Sequence, residues 1–212
     1  MSAQSRHQNI PSRGNFRAAT MRVISLSVVL AAALEALLVL VAAAAGGVRG
    51  AAPFLADLVQ KLPWAVIVCT GVWLGLELGR RRPVAAGLAG LVAAPAASLL
   101  ARSVAEGAHS FAFGGVPAGS PLVVASIKGV QYACLGYALG WLGQRAWAGA
   151  PHHAAAGLLA GLLFGGVLLA LSAIASPEPR GLPNLVGWVI NELLFPAGCA
   201  LIVFSVRDLA PG

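Results

Sequence analysis

Three ionisable residues stand inside long apolar runs: Glu35, Lys128 and Glu192. A charge in hydrocarbon costs about 2.5–3.5 kcal/mol on insertion scales, so such groups turn towards a bundle interior and seek partners. Gln131 lies three residues after Lys128, on the same face of a helix. Asn191 adjoins Glu192, and Pro196 follows four residues later. Pro196 has no N–H to give the carbonyl of Glu192, so a kink is expected there. Freed carbonyls beside charged groups resemble the broken helices at which transporters hold ions or solutes. Glu35, Lys128, Gln131, Asn191 and Glu192 are therefore the expected site, and its chemistry is binding. The competing reading is a structural ion pair, with Lys128 holding one or both carboxylates only to fix helix register. The residues alone leave both readings open.

Other chemistry finds little support. There is no phosphate-binding glycine loop, no G-x-S-x-G elbow, no H-E-x-x-H and no paired C-x-x-C. No catalytic set or metal site is expected, and no cofactor can be named. His152 and His153 are adjacent, and neighbouring helix positions point about 100° apart, a poor geometry for chelation. They read as a solvated helix start, and His109 as a solvated loop residue. Glu77 precedes Arg80 and Arg81 by three and four residues, so a local ion pair accounts for it.

The elements that position these groups must be membrane helices. Of 212 residues, 58% are hydrophobic and 10% charged, against about 25% charged in soluble domains. The net charge of +7 sits in the amino-terminal segment and in short connections. No basic face with interleaved aromatics remains for nucleic acid. The expected partner is membrane lipid. Cys69, Cys134 and Cys199 fall within apolar runs, so no disulfide framework is expected, and they read as small apolar fillers.

About 20 apolar residues span a bilayer. On that criterion the spans are Val23 to Ala45, Leu62 to Gly79, Val84 to Ala101, Leu122 to Leu142, Ala154 to Ala175 and Leu182 to Val206. Pro63, Pro83, Pro121 and Pro183 stand at or just before helix starts, where a missing N–H does least harm. The first run is too long for a secretory signal core and contains Glu35. The expected fold is an all-α, polytopic membrane bundle: a disordered cytoplasmic tail over residues 1–20, then a six-helix domain over 21–212 with short loops. Counted from the external helix ends, Glu35, Lys128 and Glu192 lie about ten, six and ten residues deep, a spread of only ~6 Å. One polar centre in the outer half of the membrane is therefore expected.

Gly71, Gly75 and Gly79, then Gly136 and Gly140, then Gly157, Gly161 and Gly165 recur every fourth position. Such stripes let helix backbones meet closely, mostly within the bundle, with one face available to a second copy or a partner membrane subunit. The segments around Cys69 and Cys134 also resemble each other, and Cys199 repeats the 65-residue interval. That is either a duplicated hairpin or the cheap similarity of Ala/Gly/Leu-rich helices. Two function classes follow: a small-solute or ion transporter, or the membrane subunit of one; and a non-catalytic scaffold of a larger complex.

With both termini cytoplasmic, Arg6, Arg13, Arg17, Arg22, Arg80, Arg81, Arg82, Arg145 and Arg207 lie inside, while Arg49, Lys61, Arg102 and Arg180 lie outside. This bias predicts an N-in, C-in multi-pass protein of a plasma membrane of the bacterial inner-membrane kind. In a background free of the native cysteines, Ser110→Cys should label from outside and Ala148→Cys should be protected. The reverse pattern would overturn the orientation.

Overall fold

The computed structural model describes residues 13–46, 51–79, 82–112, 121–175 and 182–207. Among them are six helices: α1 (Arg13–Ala44), α2 (Ala51–Leu78), α3 (Pro83–Ala112), α4 (Pro121–Leu142), α5 (Ala150–Ala175) and α6 (Leu182–Val206). No strand occurs among the described residues. All six helices are long and apolar enough to cross a membrane, so the chain is a multi-pass membrane protein. Large apolar residues such as Leu40, Leu88, Val92, Leu163 and Ile174 are exposed on the outer faces. In water they would be an aggregation liability, and in a bilayer they form the lipid surface.

Helix ends follow local chemistry. Pro83 and Pro121 open α3 and α4, the position whose N–H would be unsatisfied anyway. Gly46 closes α1 with φ of 77° and donates to the carbonyl of Ala43 at 3.0 Å, a left-handed cap that only glycine adopts without cost.

Three boundaries differ from the sequence reading. α1 begins at Arg13, so the latter part of the expected tail is helical. The reason is packing: Ala19 is fully buried, and the Phe16 ring lies 5.3 Å from that of Trp73. Residues 1–12 lie outside the described residues. α2 begins at Ala51, about three turns before Leu62, and carries Pro63 in its interior. α3 continues to Ala112, well into the expected external loop. Glu77 falls on α2, and its expected partners Arg80 and Arg81 lie outside the described residues.

The helices close a ring, each packing on its neighbours in sequence, with α1 returning to α6; α2, α4 and α6 also meet across the middle. Glycine sets the closest approaches. A side-chain carbon at Gly71, Gly75 or Gly79 would strike the methyl of Ala93, Ala89 or Ala85 on α3. Gly136 faces the backbone of Ala86, and Gly140 that of Pro83. Gly157 meets the backbone of Pro196 and Ala197, and Gly161 that of Glu192 and Leu193. All three stripes are thus in use inside the chain.

The cysteines do not share one environment. Cys69 and Cys199 are buried and Cys134 is exposed. Helices 2, 4 and 6 are therefore not equivalent at these positions. Ala148 is buried, so protection there would not report on sidedness, whereas Ala146 beside it is exposed and is the better labelling position.

The packing predicts a hierarchy of substitutions. Gly161→Leu and Gly75→Leu place bulk against backbone and a neighbouring helix methyl, and should cost about 1–3 kcal/mol or more. Leu163→Ala, at an exposed position, should change little. Thermal unfolding in detergent checks this, and parent-like stability of both glycine variants would refute it.

Candidate functional site

At one end of the bundle a cavity of about 440 Å³ opens among α1, α2, α3, α4 and α6. Helix α2 supplies a large share of its polar wall. Asp57, Gln60, Lys61 and Trp64 recur at three- and four-residue spacing and therefore occupy one face. Lys128 and Tyr132, one turn apart, come from α4; Trp188, Asn191, Glu192 and Phe195 come from α6. Ser98 of α3 and Leu34 of α1 complete the rim.

Two ion pairs organise the wall. Lys128 Nζ donates to Glu192 Oε2 at 2.5 Å, tying α4 to α6, with the two side chains 12% and 13% exposed. Lys61 pairs with Glu35, tying α2 to α1, and there the carboxylate is fully enclosed while the lysine is 21% exposed. A buried charge needs such a partner, because removing either side leaves the other uncompensated. The three expected ionisable residues therefore do not form one cluster around Lys128. Glu35 has a cation other than Lys128, and among the described residues the site shows two pairs.

Lys61 was missed because the apolar criterion started the second span at Leu62 and left the lysine outside. A signal was present: the apolar residues at 51–55 and the Asp57–Lys61–Trp64 spacing continue the helical face. Of the expected site residues, Lys128, Asn191 and Glu192 line the cavity, and Glu35 stands behind Lys61. Gln131 is not among the lining residues. It is fully buried, and among the described residues neither its amide nitrogen nor its amide oxygen has a hydrogen-bond partner.

An aromatic cluster forms another part of the wall. Trp64, Tyr132 and Phe195 meet pairwise at ring-centroid distances of 5.9, 6.1 and 6.3 Å, in the tilted and edge-on arrangements aromatic quadrupoles favour. Lys128 Nζ lies 5.8 Å from the centre of the Trp64 ring, within cation–π range.

Backbone packing aims the carboxylate. α6 runs unbroken through Pro196, and the Glu192 carbonyl, which Pro196 cannot serve, sits against Gly161. A side-chain carbon at Gly165 would come within 2.9 Å of Glu192 Cβ. The two glycines thus leave room for α6 to present Glu192 towards Lys128.

The tandem histidines lie apart from this cavity and differ from each other. His152 is exposed and accepts from the Gly149 N–H through Nδ1 at 3.3 Å. His153 is 2% exposed, its Nδ1 3.0 Å from the Gly149 carbonyl and its ring 4.8 Å from that of Phe204. The expectation of a solvated pair therefore fails for His153, which packs between α5 and α6. No group of three potential metal ligands occurs among the described residues.

Comparison with protein-family models, with curated proteins and with solved structures found no match.

The pairing generates a rescue pattern. Lys61→Met should destabilise by about 3–5 kcal/mol, because it takes a cation away from a wholly enclosed carboxylate, and Glu35→Gln should restore much of the loss. Lys128→Met should fall near the lower end of that range of about 3–5 kcal/mol, since water reaches both partners, with rescue by Glu192→Gln. Detergent thermostability of the four double combinations is the measurement. Rescue of Lys128→Met by Glu35→Gln instead would refute the assignment.

Proposed function

We propose that this membrane protein binds a small polar solute in the cavity at the open end of the bundle, as a transporter or as the membrane-embedded subunit of a transport system. The observation that carries the reading is the lining itself: two lysines, Asp57, Glu192, an amide pair and a wall of tryptophans around about 440 Å³. Pockets of about 300–1,000 Å³ with apolar walls and a few convergent polar groups are where small molecules bind. A purely structural ion pair needs no such space beside it. With the termini in the cytoplasm, as the basic residues favour, the cavity opens to the outside of a plasma membrane and is placed to capture solute from there.

The glycine stripes that would serve a scaffold are taken up by packing within the chain, so solute binding is the better-supported of the two classes.

Filling the cavity tests the proposal. The parent, purified from native membranes in mild detergent, should release a small molecule on denaturation, identifiable by mass spectrometry. Ser98→Trp, on the cavity rim, should release about tenfold less or lower, a loss equivalent to ~1.4 kcal/mol of affinity. Proteoliposomes holding the parent should then take up that molecule. Equal release by parent and variant, or none from the parent, would refute the reading.

A further inference from the structure

We infer that the solute is a small zwitterion with a flat apolar body, bound by exchanging the Lys128–Glu192 ion pair for contacts with its two opposite charges. The inference deepens the binding reading above and rests on it.

The two ion pairs of the cavity differ in accessibility. Glu35 is wholly enclosed, so the cationic end of a ligand cannot reach it, although Lys61 itself is 21% exposed and lines the cavity. Lys128 and Glu192 are both partly exposed, to nearly the same degree, and both line the cavity. This second pair is the exchangeable one. A ligand that carried only an anionic group could take Lys128, but it would leave Glu192, a largely buried carboxylate, without its cation. A ligand that carried only a cation would strand Lys128 in the same way. Either loss offsets the gain, because an unpartnered buried charge is the costly state. A ligand bearing both signs compensates each partner as it separates them, and the number of paired charges does not change.

The rest of the lining fits the same class. Asn191 and Gln60 offer neutral donors and acceptors beside the charges. Trp64 and Trp188, with Tyr132 and Phe195, present ring surface for a flat body. Lys128 already lies within cation–π range of Trp64, so its ammonium keeps some compensation while the pair opens. Gly165 gives Glu192 space at its root, where a larger side chain would crowd its movement.

The test uses the full chain in nanodiscs, with empty nanodiscs as the partition control and titration calorimetry as readout. Two matched sets vary charge on one body: tryptophan, tryptamine and indole-3-propionate, then norleucine, pentylamine and hexanoate. Tryptophan should bind at least about tenfold more tightly than either singly charged indole, and more tightly than norleucine. In Lys128→Gln/Glu192→Gln that preference should fall below about threefold, because no pair remains to be broken. If a singly charged member binds best, the zwitterion class is wrong and the binding reading stands. If norleucine equals tryptophan, the flat-body requirement is wrong. An unchanged preference in the double variant would overturn the exchange. If none of the six binds the parent at ~10 mM, this inference fails, and the release experiment above decides the binding reading by itself.

Discussion

A charge inside hydrocarbon must carry its compensation with it, and the cavity end of this bundle is arranged around that requirement. Lys61–Glu35 joins consecutive helices α1 and α2, whereas Lys128–Glu192 spans the middle between α4 and α6. The second pair matters more to the architecture, because α4 and α6 otherwise touch only lightly. Where two helices are held by a polar bond rather than by broad apolar contact, space remains beside the bond. The cavity is that space, walled by Tyr132, Trp188 and Phe195 one turn from the pair and by residues of α1, α2 and α3 around them.

The bundle is divided between a tight side and a loose one. From α2 through α3 to α4, glycines and alanines bring backbones close, and the packing leaves little free volume. Towards α1 and α6, larger residues, including Trp64, Trp188 and Leu34, hold the helices further apart around the cavity. α5 takes no part in the cavity wall, yet its Gly161 and Gly165 set how closely α6 approaches and hence where Glu192 stands.

Much of this was legible in the residues. Apolar run length revealed six spans because the bilayer imposes a length that soluble helices need not obey. Lys128 and Glu192 announced themselves as ionisable groups in apolar runs, and they do pair. Lys61 did not, because Asp57, Gln60 and Lys61 dilute the hydrophobicity of the first turns of α2. A helix that lines a wet cavity is least apolar where it functions, so a run-length criterion trims off the informative part. The start of α1 was hidden for a related reason: its basic residues look like tail, while Phe16 and Ala19 among them are packed against the bundle. Which lysine serves which carboxylate depends on helix rotation, which run length does not report. His153 looked solvated beside its exposed neighbour, and only the approach of α6 encloses it.

Along α2 and α3 the smallest side chain in the code meets the second smallest at Gly71–Ala93, Gly75–Ala89 and Gly79–Ala85, in antiparallel register. Neither partner has a smaller alternative that would compensate for growth in the other, except Ala becoming Gly, which loosens the helix it sits in. This seam therefore has almost no neutral neighbours in sequence space. Drift must be absorbed elsewhere, on the lipid faces and around the cavity, where volumes are larger and exchanges can be balanced. A chain built this way can change what it holds more easily than how it is held together.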